Sequence, residues 1–146
     1  MKIIIEEKQS EEEEDTIIIR CATLQEPLLR LIQSIKASDE SLIGMKDAVI
    51  HRIPIEDVYY FEAVDHKVFL YTKSDVYEAR LKLYEVEERY SSADCLRVSK
   101  SVILNLRKVR SFFPVLGGRM EAVLDNGEKV ILSRQYVPLV KTRLGL

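Results

Sequence analysis

The sequence predicts a mainly β protein with few helices. Five short apolar segments bounded by polar turns lie between residues 42 and 79, with the lengths and spacing of antiparallel strands. Residues 109–132 alternate apolar and polar side chains around Asn126-Gly127, a dipeptide typical of β-hairpin turns. Helical spacing of apolar residues marks only three short stretches. At 146 residues the chain can form one domain with its own core and a small appendage.

The first 40 residues are predicted to be a ββα appendage. Lys2 to Glu6 and Thr16 to Cys21 each contain three consecutive isoleucines, which favours two strands, and the charged residues 11–15 between them would form a loop. Leucine and isoleucine at helical spacing between residues 24 and 35 then predict a helix that ends near residue 38. We expect the appendage to close the core or to mediate assembly, and the domain proper to span residues 41–146.

Short strands dominate the remainder of the chain. The predicted strands are residues 42–45, 49–53, 58–63, 67–72 and 76–79, then a strand ending at Val98, then a meander of residues 109–115, 119–124 and 129–132. Helices are predicted over residues 81–90 and 136–144, and residues 102–106 are predicted to be an apolar turn. Gly117-Gly118 supplies the first turn of the meander, and Asn126-Gly127 predicts a type I′ turn for the second.

Charge is divided unevenly along the chain. The net charge is only −2, but residues 1–40 carry −5, residues 41–94 carry −4 and residues 95–146 carry +7. A local basic face matters more for nucleic-acid binding than the charge of the whole chain, because affinity comes from neutralised phosphates and released counterions.

The two cysteines and the apolar content indicate a cytoplasmic protein. Cys21 and Cys95 lie in unrelated segments with apolar neighbours, which is typical of thiols in a reducing compartment and not of a disulfide or a metal site. The apolar runs are too short to span a bilayer, and no signal peptide is indicated. No cofactor is predicted.

The segment from Leu96 to Leu106 is rich in hydrogen-bond donors. Apolar residues anchor a short loop whose outward side chains can all donate, namely those of Arg97, Ser99, Lys100 and Ser101. Such donors suit phosphate oxygens and the acceptors on guanine. From these residues alone, a solvated strand end with ordinary surface charges is an equally good interpretation.

Four motifs in order resemble the LytTR DNA-binding domain of bacterial transcription regulators. They are Val58-Tyr59-Tyr60-Phe61-Glu62-Ala63, His66-Lys67, Leu96-Arg97-Val98-Ser99-Lys100-Ser101 through Asn105-Leu106, and Asn126-Gly127 leading to Ser133-Arg134-Gln135-Tyr136. The resemblance covers about residues 41–145. It implies several small, mostly antiparallel sheets with few short helices, and DNA recognition by loops laid into successive major grooves.

The resemblance also assigns site residues. It implies base contacts from His66, Lys100 and Arg134, and it makes Lys67, Arg97, Ser99, Ser101 and Arg107 candidates for phosphate contacts. Asn105 is expected to be structural. The implied partners are double-stranded DNA at repeated half-sites, a second copy of the chain and, for short family members without a receiver domain, a small membrane protein that restrains them. With forty residues before the domain, a stand-alone form without a receiver is expected, and no small-molecule substrate.

Two other classes of function each have some support in the sequence. His66 with Asp65, or Glu62 with Asp65, could form an acid-base pair, but no nucleophile elbow, phosphate-binding glycine loop or metal-ligand spacing accompanies them, so an enzyme is not expected. The alternative to DNA binding is a protein-binding regulatory module whose appendage docks a partner and whose basic face is incidental.

Overall fold

The computed structural model describes residues 2–7, 9–10, 16–38 and 42–146. In these ranges the helices are α1 (Glu26–Ser38), α2 (Leu83–Tyr90) and α3 (Val137–Arg143). The strands are β1 (Leu42–Lys46), β2 (Val49–Ile53), β3 (Tyr60–Val64), β4 (Lys67–Tyr71), β5 (Val76–Ala79), β6 (Cys95–Arg97), β7 (Val102–Asn105), β8 (Val109–Val115), β9 (Arg119–Leu124) and β10 (Lys129–Leu132). The predicted mainly β fold with few short helices is confirmed.

Seven strands form one antiparallel sheet in the order β2-β1-β5-β4-β3-β7-β6. This sheet is larger than the several small sheets that the sequence predicted. Two of its hairpins have two-residue turns, Asp47-Ala48 and Asp65-His66, in which both residues have positive φ. That conformation is the type I′ turn, whose twist matches the twist of the strands it joins. The first strand was predicted to end at residue 45, one residue before the observed end of β1.

The other three strands form a meander in the order β10-β9-β8. Gly117 and Gly118 provide its first turn with positive φ, as predicted. The predicted type I′ turn at Asn126-Gly127 is wrong. Only Gly127 has a positive φ there, and its amide donates to Leu124 O at 3.0 Å, so the hairpin is a type I turn followed by a left-handed glycine. Four residues, Asp125 to Glu128, lie between β9 and β10, so Asn126-Gly127 is not a two-residue turn.

The core has two parts, which lie on opposite faces of β7. The first is formed by the seven-stranded sheet and α2, and contains Phe61, Leu70, Val86, Tyr90 and Ile103. The second is formed by β7, the residue after β6, the meander and α3, and contains Val98, Val102, Leu104, Ala122, Leu124, Leu132 and Val140. The two cores share β7, which ties the meander to the main sheet.

Strand β7 replaces the apolar turn predicted over residues 102–106. All four of its residues are buried, with Ile103 in the first core and Val102 and Leu104 in the second. A strand buried on both faces has a continuous apolar sequence without alternation, so periodicity cannot identify it.

The two strands predicted in the appendage are wrong. Residues 2–7 and 16–21 form neither strand nor helix, whereas the predicted helix is α1, which packs against the 3₁₀ turn Ser91–Ala93. The hairpin that would align the two isoleucine triplets sets Lys2 opposite Arg20, and like charges across a strand pair are destabilising. The predicted loop at residues 11–15 lies outside the described residues, and the division into an appendage and a domain stays a prediction.

Candidate nucleic-acid interface

Backbone hydrogen bonds bring three separate loops to one edge of the molecule. The amide of Ala63, at the end of β3, donates to Ser101 O at 2.8 Å. The amide of Ser133, just after β10, donates to Val98 O at 2.8 Å, and the Ser133 hydroxyl donates to the same oxygen at 3.3 Å. The β3–β4 turn, the β6–β7 loop and the segment after β10 therefore lie side by side. We call residues 64–67, 98–101 and 133–134 the loop edge.

Each predicted base contact lies on a different segment of the loop edge. His66 is at the tip of the β3–β4 turn with φ of 66°, Lys100 is in the β6–β7 loop, and Arg134 follows β10. All three side chains are exposed. Histidine is one of the few residues found more often at positive φ, and the two-residue turn needs that conformation. The fold thus presents all three to solvent at one edge.

Because Gly118 has no side chain, the side chain of Arg134 can lie against it. A Cβ atom on Gly118 would lie 3.2 Å from both Cγ and Cδ of Arg134, which is closer than ordinary van der Waals contact. Gly118 also has φ of 74°, which L side chains rarely adopt. The turn between β8 and β9 therefore lies against the stem of Arg134 and belongs to the same edge.

Arg97 stabilises the β6–β7 loop through hydrogen bonds. Its Nε and Nη2 donate to Glu87 Oε2 at 3.2 and 3.1 Å, and its Nη1 donates to Lys100 O at 2.5 Å. Only 18% of the Arg97 side chain is exposed. Its guanidinium thus links α2 to the backbone of Lys100 and fixes the position of that residue.

Lys67 and Ser99 on the loop edge can still donate hydrogen bonds to a ligand. Lys67 Nζ lies 3.8 Å from Glu78 Oε2, an exposed pair of the kind that contributes little. Ser99 Oγ accepts from the Ser101 amide at 3.3 Å, and its own hydroxyl proton is still available to donate.

Arg107 lies at the other end of β7 from the loop edge. Its Nε donates to Asp94 Oδ2 at 3.1 Å, and Arg143 Nη1 donates to Asp94 Oδ1 at 2.9 Å. The structure does not bring Arg107 together with the other predicted site residues. Nearby Asn105 is 3% exposed and donates from Nδ2 to Val58 O at 2.8 Å, so its predicted structural role is confirmed.

Arg119 is a basic residue at this edge that the sequence analysis did not assign. It is exposed, follows Gly118 directly, and donates from Nε to Leu116 O at 3.1 Å, so its Nη donors stay available. Among the described residues, Lys100, Arg119 and Arg134 have no carboxylate within 4.0 Å. These uncompensated cations suit the phosphates and guanine edges of DNA. The net charge of residues 95–146 was the only sequence signal for Arg119.

The end of β3 and β4 that lies away from the β3–β4 turn carries charges of both signs. A cavity of about 400 Å³ there is lined by residues of both charges, including Arg52, Lys73, Asp57 and Asp75. In the part of the chain that the structure describes, no three His, Cys, Asp or Glu residues lie close enough to hold a metal ion. Within the same ranges, no helix is both long and apolar enough to cross a membrane.

Comparison with known proteins identifies the family. The model of the LytTr DNA-binding domain matches residues 48–145. An uncharacterized HTH-type transcriptional regulator of Staphylococcus aureus (strain bovine RF122 / ET3-1) is 28% identical over 137 residues, which is 92% of each chain. The sensory transduction protein LytT of Enterococcus faecalis is 28% identical over 97 residues, 66% of this chain and 40% of that protein. The solved LytTr DNA-binding domain of a Bacillus cereus protein has a similar fold, with a TM-score of 0.69 and 23% identity over 73% of this chain and 97% of that one. The chain belongs to the LytTR family of DNA-binding domains.

Proposed function

We propose that this protein is a sequence-specific transcriptional regulator that reads successive major grooves of DNA through its loop edge. The observation that carries the proposal is the alignment of His66, Lys100 and Arg134 on three hydrogen-bonded neighbouring segments at one edge. The family supports DNA as the partner. Regulation of transcription is supported by the names of relatives that match almost the whole chain.

We propose that His66, Lys100 and Arg134 each contact bases with a different set of hydrogen-bonding groups. Arg134 can donate two hydrogen bonds to O6 and N7 of guanine, a pairing worth about 1 to 3 kcal/mol of discrimination. Lys100 donates as a point charge from a backbone that Arg97 holds in place. His66 offers one donor and one acceptor when neutral, so it can serve either kind of base edge.

Phosphate contacts position the protein on the duplex. We propose Lys67, Ser99 and Ser101 for this role, with Arg97 adding its remaining donors at the base of the loop. Arg119 is added on its exposure and its place beside Gly118. Arg107 as a phosphate contact stays a prediction of the sequence alone, because it lies away from the loop edge and is paired with Asp94.

The proposed regulator acts as a homodimer in the bacterial cytoplasm. Binding at repeated half-sites suggests a homodimer whose copies lie on one face of the duplex, one helical turn or about 34 to 36 Å apart. We propose a bacterial, cytoplasmic, stand-alone regulator without catalytic activity or a small-molecule substrate. Its activity would be restrained by a small membrane protein.

Binding to a selected and a scrambled duplex tests the proposal. Duplexes are first enriched from a random library with the full chain, and fluorescence anisotropy then measures Kd at two salt concentrations. Arg134→Ala should weaken binding to the enriched duplex about 5- to 150-fold and the scrambled duplex much less. Lys129→Ala is the matched control, because Lys129 begins β10 at the end away from Arg134 and pairs with Glu121. Equal binding to both duplexes by the parent protein would favour the protein-binding module instead.

A further inference from the structure

An isoleucine triplet near the start of the chain is exposed to solvent. Ile3, Ile4 and Ile5 are 79%, 68% and 87% exposed, and Ile17 and Ile18 are 65% and 75% exposed. Contiguous exposed apolar residues on a soluble protein usually mark an interaction site. β-Branched residues also favour extended strands that pair with another strand.

The charges around the first triplet select its pairing partner. Pairing with the second triplet of the same chain sets Lys2 opposite Arg20. Antiparallel pairing of residues 2–6 with the same residues of a second copy sets Lys2 opposite Glu6 at both ends. It also sets Ile3 opposite Ile5 and Ile4 opposite itself. Opposite charges and β-branched residues facing one another stabilise a strand pair, and like charges destabilise it.

We infer that residues 2–6 of two copies pair as antiparallel strands around a two-fold axis through Ile4 and so form the homodimer contact. Such an interface is isologous, since each residue meets its counterpart from the other copy. Ile3 and Ile5 of both copies lie on one face of the ribbon. A two-stranded ribbon alone is marginal, and Ile17 and Ile18 of both copies supply the apolar cover that it needs.

The inference specifies the dimer of the proposed function but does not depend on DNA binding. The segment lies in the first 40 residues, whose net charge of −5 is repelled by phosphate. Assembly would therefore be carried by an acidic part of the chain and DNA contact by the basic part. Both experiments below are done without DNA, so their failure is distinct from a failure of the loop edge to bind it.

Disulfide trapping in the full chain tests the register. Exposed Cys21 is first replaced by Ser, and Cys95 stays because it is buried. Ile4→Cys should form a covalent dimer on mild oxidation, because directly opposite Cα atoms lie about 4.5 to 5.5 Å apart, within disulfide reach. Ile3→Cys or Ile5→Cys alone should cross-link poorly, since each then faces its own counterpart at about 7 to 8 Å. A mixture of Ile3→Cys and Ile5→Cys should cross-link well. Equal yields from Ile3→Cys alone and Ile4→Cys would overturn the register.

A charge exchange tests the pairing itself. By sedimentation equilibrium, Lys2→Glu should raise the dimer dissociation constant by about fivefold or more, because both opposite-charge pairs become like-charge pairs. Adding Glu6→Lys to the same chain should restore the parent value. Lys129→Glu, which changes the net charge equally, should leave dimerisation unchanged. A parent protein that is monomeric at all concentrations, or a double variant as weak as Lys2→Glu, would contradict the proposal.

Discussion

Gly118→Ala should weaken both the fold and the recognition of DNA, through two separable effects. Alanine at φ of 74° is in the left-handed region, which costs about 1 to 2 kcal/mol in free energy of unfolding. The new Cβ also lies 3.2 Å from Cγ and Cδ of Arg134, so that side chain must shift by a few tenths of an ångström. Affinity for the enriched duplex should then fall by part of the roughly 1 to 3 kcal/mol that a bidentate guanine contact supplies.

Gly117→Ala is the matched control. Its φ of 80° imposes the same backbone strain, but a Cβ at this position lies 4.0 Å from its nearest neighbour, Arg119 Nε, and not against Arg134. Urea denaturation should show similar losses for both variants, whereas anisotropy should show a selective loss on the enriched duplex for Gly118→Ala only. In an Arg134→Ala background, Gly118→Ala should add no further loss of discrimination, because coupled residues are not additive. An undiminished loss in that background would refute the role given to Gly118.

Three further predictions concern the fold and the division of the chain. Asn105→Ala should lower the free energy of unfolding by about 2 to 4 kcal/mol, measured in urea, because buried Val58 O and the partly buried Arg107 amide lose their partner; a loss under about 0.5 kcal/mol would contradict the structural role of Asn105. A hydrogen bond to Asp125, together with burial, raises the pKa of Tyr59 from 10.0 to about 12. The unfolded chain therefore ionises first, and stability should fall as the pH rises from about 10 to about 12, with a smaller fall in Tyr59→Phe; an unchanged pH profile in that variant would exclude Tyr59 as the source. Deletion of residues 1–25 should abolish the dimer and leave the monomer's preference for the enriched half-site, and loss of that preference in a folded fragment would show that the segment contacts bases.

Strands with one exposed face could be predicted from the sequence, and those without could not. Alternation predicted β9 and β10, and turn residues bounded β1 to β5. Strand β7 gave no alternation because Ile103 faces one core while Val102 and Leu104 face the other. The isoleucine triplets have the composition of strands but form none in the structure, because composition alone does not supply a strand to pair with.

The site was predicted as a set of residues but not as a geometry. Resemblance to the family identified His66, Lys100 and Arg134, and the structure shows that they share one edge. Contacts distant in sequence were not predictable, such as Arg97 with Glu87 or Arg107 with Asp94. Such ion pairs depend on how the helices and loops pack, which no local pattern records.

Selection from a random duplex library tests the central claim most directly. The full chain and the variants His66→Ala, Lys100→Ala and Arg134→Ala are each used to enrich double-stranded DNA, and the enriched sequences are compared position by position. The parent chain should enrich two short motifs separated by whole helical turns, and each variant should lose selectivity at its own position within the motif while the others persist. The same motif enriched unchanged by all three variants, or no motif enriched by the parent chain, would contradict recognition of DNA by the loop edge.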